Sequence, residues 1–261
     1  MSTLEARITR TDEASVPATS QLIDAPVPPE RPSTAAREHE TKFVFDAAIA
    51  PHFVNWLRCR CRPDPRFPAG TISSIYYDTP DWQFLREKIN SDFLKTKVRL
   101  RWYADIDGES PSDHSFLEAK FRTGSQRSKI RLRTDHSGRW LDRVSLGDPR
   151  LLGIPRMLGS KDVVFARPLV PTFLIRYKRC RFIEPSTGAR LSIDYDIQVP
   201  AVNWRMIPRA YPISLRQAVF ELKGKAVDLP DILHPLTAMG CRKESFSKYS
   251  RCYENIMGVC F

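Results

Sequence analysis

From Arg37 onward, apolar and polar residues alternate along the chain with a period of two. Successive side chains of an extended strand point to opposite faces, so this pattern predicts strands. Helical patterns lie between them, near residues 48–61, 81–90, 142–158, 229–238 and 246–258. We therefore expect one antiparallel-rich α+β domain over residues 37–261. The predicted strands lie near residues 37–45, 71–78, 95–104, 115–122, 127–134, 172–183, 189–198 and 216–223.

Residues 1–36 have a different composition. They contain no aromatic residue and carry a proline-rich run, Ala25-Pro26-Val27-Pro28-Pro29-Glu30-Arg31-Pro32. Such a segment cannot bury enough apolar surface to offset the entropy lost on folding. We predict a disordered N-terminal arm.

The predicted strands are apolar on one face and charged on the other. In residues 95–102, Lys97, Arg99 and Arg101 share one face, and the opposite face is apolar. Two of these faces, on residues 97–101 and 129–133, are purely cationic. The same alternation places together Glu38, Glu40 and Lys42; Glu118, Lys120 and Arg122; Lys129, Arg131 and Arg133; Arg190, Ser192, Asp194 and Asp196; and Glu221 and Lys223.

The sequence allows two arrangements of these charged faces. In an open antiparallel sheet they would face water. Like charges opposite one another destabilise a sheet, however, so the cationic faces favour a nearby anion. A closed eight-stranded barrel with its charged face inward would concentrate the positive potential in its lumen, and the amphipathic helices would cover the apolar outside. We predict this closed, charged tunnel.

The composition also indicates an anionic partner. Lysine and arginine outnumber aspartate and glutamate by 41 to 30, a net charge of +11. No run approaches the ~20 apolar residues of a membrane span, and residues 1–15 contain no apolar signal-peptide core, so we expect a cytoplasmic protein. The six cysteines and five histidines have no zinc-site spacing. Basic runs without interleaved exposed aromatic residues argue against nucleic acid.

Several short motifs then resemble a known family. Glu38-x-Glu40-x-Lys42 resembles the ExExK signature of the triphosphate tunnel metalloenzymes (CYTH-like superfamily), and Lys97-x-Arg99-x-Arg101 resembles their basic strand. Further strings are similar to the VTC-type polyphosphate polymerase domain. In this sequence they read SIYYDT (74–79), VRLRWY (98–103), FLEAK (116–120), YKRCRF (177–182), LSIDYD (191–196), FELK (220–223) and SFSKY (245–249).

The resemblance implies an eight-stranded tunnel that binds triphosphate or polyphosphate. It also implies a metal-dependent phosphotransferase that moves the γ-phosphoryl of ATP onto inorganic polyphosphate with Mn²⁺ or Mg²⁺. Arginine suits such a site because its planar guanidinium binds phosphate through two hydrogen bonds. Carboxylates among so many cations suit a hard divalent ion that bridges phosphate oxygens.

Carried onto this sequence, the resemblance implies three groups of site residues. Glu118 and Asp194 could bind metal or only pair with neighbouring cations. The implied catalytic residues are Arg99, Arg101, Lys120, Arg179, Arg190 and Lys248. The implied additional phosphate-binding residues are Lys42, Lys97, Lys129, Arg131 and Lys223. The implied metal ligands are Glu221, then Glu38 and Glu40.

Three functions share this set of residues. They are a polymerase, favoured by the VTC-like strings; a tunnel hydrolase of tripolyphosphate or a nucleoside triphosphate; and a polyphosphate-binding protein without turnover. One difference from some VTC domains is Ser245, where they carry a second lysine, although Lys243 is close. A freestanding soluble enzyme is expected. Membrane delivery of its product, if any, would need other proteins, and a peripheral membrane partner stays open. The oligomeric state, the preferred metal and the product length stay undetermined.

Overall fold

A computed structural model describes residues 39–208, 210–225 and 229–259. The predicted N-terminal arm, residues 1–36, lies outside the described residues, as does Glu38.

The eight predicted strands are all present. Their ends differ from the predicted ones by a few residues. Three further strands, of two residues each, could not be predicted because so short a run shows no alternation. The strands are β1 (His39–Asp46), β2 (Arg62–Pro63), β3 (Ala69–Asp78), β4 (Leu94–Ala104), β5 (Ser115–Thr123), β6 (Gln126–Thr134), β7 (Val170–Ile183), β8 (Arg190–Val202), β9 (Ile213–Ser214), β10 (Gln217–Gly224) and β11 (Arg242–Lys243).

The strands form one antiparallel sheet, but it is not a closed barrel. Its order is β11-β1-β10-β8-β7-β3-β4-β5-β6, with β2 paired to β7 and β9 to β8. Within the described residues no ladder joins the two edges, so the prediction of an eight-stranded closed barrel was wrong. One edge, β6, carries a cation at every second position from Arg127, which discourages pairing. The other edge, β11, has only two residues.

In the described part of the chain, five α-helices flank the sheet. They are α1 (Ala50–Arg58), α2 (Gln83–Ile89), α3 (Gly138–Leu141), α4 (Pro149–Gly153) and α5 (Lys248–Met257). The prediction of a helix near residues 142–158 was wrong. The chain turns at Gly147, and α4 begins only at Pro149, where the Asp148 side chain caps its first turn. Near 229–238 the chain forms a 3₁₀ helix, Asp231–Leu236, that contains Pro235, whose missing N–H disfavours an α-helix.

The apolar strand faces lie under helices, as predicted. Phe53 and Leu57 of α1 pack with Phe220 of β10. Residues of α3, α4 and the 3₁₀ helix Ile154–Lys161 cover Leu100 and Trp102 of β4. Helix α5 instead packs against the other, charged side of the curled sheet, in a cluster that joins residues of β1, β3, β7, β8 and β10. The charged face therefore lines a cavity beside this apolar cluster.

Candidate phosphate-binding cavity

The charged strand faces meet in one cavity of about 830 Å³. It is lined by residues of β1, β3, β4, β5, β6, β7, β10 and α2, together with the segment from Lys243 to Tyr249. Among the residues that the structure describes, fifteen lysine and arginine side chains line it, against four glutamates. Such a surplus in a confined space attracts polyanions.

Glu118 is the centre of the ion-pair network on β4–β6. Its side chain is only 1% exposed. Arg99 donates two hydrogen bonds to Glu118 Oε2, at 2.9 and 2.7 Å, and Lys129 Nζ lies 2.9 Å from Oε1. Arg101 and Arg131 approach to 3.6 and 3.7 Å. Burial opposes ionisation, but Arg99 and Arg101 hold the pKa of Glu118 far below its usual range.

Asp194 is the second buried carboxylate of the site. It is fully buried and accepts hydrogen bonds from Arg179 and from Lys248 Nζ. Burial opposes the charged form, whereas these two cations lower the pKa of Asp194. Glu118 and Asp194 thus both form ion pairs with cations of the cavity within the described structure.

Two further carboxylates face two ammonium groups. Lys42 Nζ lies 3.2 Å from Glu40 Oε1 and 3.5 Å from Glu221 Oε1. Lys223 Nζ lies 3.8 and 3.6 Å from the Oε2 atoms of the same two glutamates. Burial raises and the neighbouring lysines lower the pKa of Glu40, with a net lowering. The pKa of Glu221 falls well below its usual value, because Lys248 and Arg179 outweigh its burial.

Lys97 and Lys120 have no carboxylate partner among the described residues. They face each other across β4 and β5. Desolvation, with the charges of Arg99 and Lys42, lowers the pKa of Lys97 to about 7. Lys120 is reached by solvent, yet partial desolvation and nearby Arg99 and Lys97 lower its pKa to about 7 as well. An anion placed between them would reverse this repulsion.

A buried hydrogen-bond network positions the first turn of α5. Asp78, at the end of β3, accepts hydrogen bonds from the backbone N–H of Thr79, from two backbone N–H groups in the first turn of α2, and from Tyr249 Oη at 2.8 Å. The Tyr249 ring stacks on Tyr76, whose hydroxyl accepts a hydrogen bond from Arg99 at 3.3 Å. Ser247 caps α5 and therefore places Lys248 in the first helical turn, facing the cavity.

The cavity contains most of the residues predicted from the sequence. Glu38 lies outside the described residues. Arg190 is exposed at the start of β8 and does not line the cavity, although it stands opposite Lys223 in the sheet register. The predicted residues that do line it are Glu40, Lys42, Lys97, Arg99, Arg101, Lys120, Lys129, Arg131, Arg179, Glu221, Lys223 and Lys248.

Five lining cations were missed: Lys88, Lys95, Arg122, Arg127 and Lys243. Three of them continue the period of two on strands already identified, so the sequence contained a usable signal for Lys95, Arg122 and Arg127. Lys88 reaches the cavity from α2 and Lys243 from β11. Their places depend on how those elements pack.

A divalent metal can be tested against the carboxylates present. No group of three or more histidine, cysteine, aspartate or glutamate side chains within residues 39–208, 210–225 and 229–259 is arranged to hold a metal. Neighbouring lysines lower the pKa of both Glu40 and Glu221, and Glu221 is near enough to raise the pKa of Glu40 in part. Magnesium-type ions are commonly held by one or two carboxylates plus substrate phosphates. This pair fits that kind of site.

Comparison with known proteins identifies one domain family. Residues 37–145 and 156–257 match the VTC domain. One of 33 matching solved chains, from Vibrio parahaemolyticus, is described as a "putative adenylate cyclase". It shares 12% identity over 85% of this chain and 98% of that one, with a TM-score of 0.42, and supports no functional statement. No curated protein matches. In the described part of the chain, no helix is long and apolar enough to cross a membrane.

Proposed function

The chain belongs to the VTC domain family, and on this basis we propose that it is a polyphosphate polymerase. It would transfer the γ-phosphoryl group of ATP to the end of an inorganic polyphosphate chain, with Mn²⁺ or Mg²⁺ as cofactor. The observation that carries this proposal is the surplus of cations in the cavity, where Lys97 and Lys120 have only other cations as charged neighbours among the described residues. Such a site is matched by a ligand with many closely spaced negative charges.

The proposed reaction is a single phosphoryl transfer. A terminal oxygen of the polyphosphate chain attacks the γ-phosphorus of ATP and forms a new P–O bond. The bond from the γ-phosphorus to its bridging oxygen breaks, and that electron pair leaves with ADP. If the attacking oxygen carries a proton, the proton goes to solvent. The polyphosphate chain grows by one phosphate.

The side chains of the cavity serve this reaction by charge and position. Phosphoryl transfer requires in-line placement and stabilisation of charge on the phosphoryl oxygens rather than covalent catalysis. Arg99 and Arg101 are held by Glu118, and Arg179 by Asp194, so their guanidinium groups do not have to reorganise. Lys97 and Lys120 supply charge that no carboxylate within the described residues neutralises. Glu40 and Glu221 would hold the divalent ion, which supplies further neutralisation of phosphate charge.

The direct test follows the products of the purified protein. It is incubated with ATP and Mn²⁺, and the products are identified by phosphorus NMR and a stained polyphosphate gel. ADP with long chains supports the polymerase. Orthophosphate as the only phosphate product would instead identify a hydrolase, in which water replaces the chain end. Binding without turnover would identify a polyphosphate-binding protein.

A matched variant excludes a contaminating kinase. Lys120→Ala removes a solvent-reached cation that has no carboxylate partner among the described residues, so the fold should be unaffected. We expect turnover to fall by roughly 10- to 150-fold, because a charge-assisted contact to phosphate contributes about 1.5–3 kcal/mol. Equal activity in the variant would assign the turnover to another protein or another site.

A further inference from the structure

Helices α3 and α4 and the 3₁₀ helix that follows them form a shell over the apolar face of β4, on the opposite side of this strand from the cavity. Side chains of the shell such as Leu141 and Leu151 pack with Leu100 and Trp102. Residues 138–161, which include the whole shell, contain five cations against two aspartates. The cations are all exposed: Arg139, Arg143, Arg150, Arg156 and Lys161.

The two aspartates of this segment are already paired. Asp142 accepts a hydrogen bond from Arg176 of β7, and Asp148 accepts two from Arg150, at 3.0 and 2.7 Å. Asp162, which follows the shell, makes no ion pair with it among the described residues. The other four cations of the segment likewise have no ion-pair partner in the described part of the chain. The shell therefore presents positive charge that the protein does not neutralise.

Exposed apolar side chains lie among these cations. Leu152 of α4 is 45% exposed, and Met157 of the 3₁₀ helix is 39% exposed. Trp204, which follows β8, is 62% exposed, and the Arg205 guanidinium stacks 5.2 Å from its ring centre. A Cβ at Gly147 would lie 3.7 Å from Trp204 Nε1, so this tryptophan stands beside the chain that leads into α4.

Hydrogen bonds bring α4 and the end of β8 to the same end of the sheet. Tyr77, near the end of β3, donates a hydrogen bond from its hydroxyl to the carbonyl of Leu151 at 3.1 Å. Tyr77 is also the register partner of Pro171, whose carbonyl accepts a hydrogen bond from Asn203 Nδ2 at 2.8 Å. The next residue after Leu151, and the next after Asn203, are both exposed. We call the following residues the outer patch: Leu152, Arg156, Met157, Lys161, Trp204 and Arg205.

Unpaired cations around protruding apolar side chains match one class of partner. A soluble polyanion would bind the cations but would leave Leu152, Met157 and Trp204 in water. An anionic bilayer engages both, because its head groups attract the cations and its acyl boundary buries the apolar side chains. Tryptophan is also favoured where one end of the ring is apolar and the other wet. We propose that the outer patch docks the protein on an anionic membrane surface.

Vesicle co-sedimentation of the whole protein tests this docking. It compares vesicles of phosphatidylcholine alone with vesicles that also contain phosphatidylglycerol. The test variants are Leu152→Ser/Arg156→Ala and Trp204→Ser. The matched control is Arg66→Ala/Phe67→Ser, which also removes one exposed cation and one exposed apolar side chain but precedes the opposite end of β3.

Two further measurements accompany the variants. Thermal unfolding confirms that each one is folded. Turnover of ATP in solution should be unchanged in all of them, because none of the replaced residues lines the cavity. A change of membrane binding is then separate from any change at the cavity.

We expect the wild-type protein and the control to bind the vesicles that contain phosphatidylglycerol and not those of phosphatidylcholine alone. Each test variant should bind at least about tenfold more weakly, because a cation near an anionic surface contributes about fivefold and a buried apolar side chain about tenfold. Tryptophan emission should shift to shorter wavelength on binding, and Trp204→Ser should remove most of that shift.

No binding by the wild-type protein, or equal binding by the test variants and the control, would overturn the proposal. Equal binding to both kinds of vesicle would overturn it as well. A loss in Leu152→Ser/Arg156→Ala with none in Trp204→Ser would also overturn it and would indicate a soluble polyanion instead. Membrane binding by a protein that makes no polyphosphate would refute the polymerase and leave the docking standing.

Discussion

Replacing Glu118 with glutamine tests whether this carboxylate neutralises the cations of the cavity. Glutamine keeps the shape of the side chain and one acceptor oxygen but removes the negative charge. Arg99 and Arg101, which are both buried, would then lose the anion that they share. The variant should fold less stably and should depend on an added anion.

The magnitude follows from the contacts. Removing one partner of a buried ion pair costs about 3–5 kcal/mol of stability. The side chains of Lys129 and Arg131 are 43% and 40% exposed, so water screens their share of the loss. We therefore expect the lower end, about 3 kcal/mol, which for a domain of this size lowers Tm by roughly 6–12 °C.

The measurement is urea unfolding and differential scanning calorimetry at low salt. Glu109→Gln is the control, since Glu109 is exposed and has no ion pair among the described residues. Both proteins are then scanned with added tripolyphosphate. The anion should raise the Tm of Glu118→Gln more than that of the wild-type protein, because it replaces the missing charge.

A Glu118→Gln protein as stable as the control would refute this reasoning. It would mean that water already screens Arg99 and Arg101 and that the cavity has no need of an internal anion. A loss of stability that added tripolyphosphate does not reduce would mean that the anion does not bind beside Glu118. Glu118 would then stabilise the fold, and the phosphate site would have to lie elsewhere.

Three other predictions follow from the same contacts. Because the pKa of Lys97 is lowered to about 7, the unfolded chain binds more protons than the folded one between about pH 7 and 10, and stability should rise with pH there. Lys97→Met should reduce this rise, measured as the free energy of unfolding in urea at several pH values. The same pH dependence in the variant and the wild-type protein would contradict the prediction. Tyr249→Phe removes the buried hydrogen bond to Asp78 and should lower the free energy of unfolding by about 1–3 kcal/mol. It should also raise the KM for ATP, because Lys248 would be displaced. An unchanged KM would leave Tyr249 a purely structural role. Glu221→Gln should shift the Mn²⁺ titration of activity to higher concentration, and a curve superimposable on the wild-type one would remove Glu221 as a ligand.

The site was predictable where strand alternation defined it. Lys97, Arg99 and Arg101 share a face in any extended conformation of residues 95–104, and Lys120 follows the same rule on its own strand. The pairing register of β4 with β5 could not be predicted from the sequence of either strand alone. It arises because apolar positions such as Leu100 and Leu117 pair under the helices, which places Lys97 opposite Lys120 and Arg99 opposite Glu118.

The sequence by itself determined the eight main strands, their two-faced character and the positive surplus, because these depend on a period of two and on composition. Only the tertiary structure decided that the sheet stays open, that α5 brings Lys248 to Asp194, and that Lys88 reaches the cavity. Closure depends on whether two edges far apart in the chain can pair, and here one edge, β6, is cationic and the other, β11, has only two residues. Such contacts depend on strand twist and on helix packing, which no local pattern of side chains records.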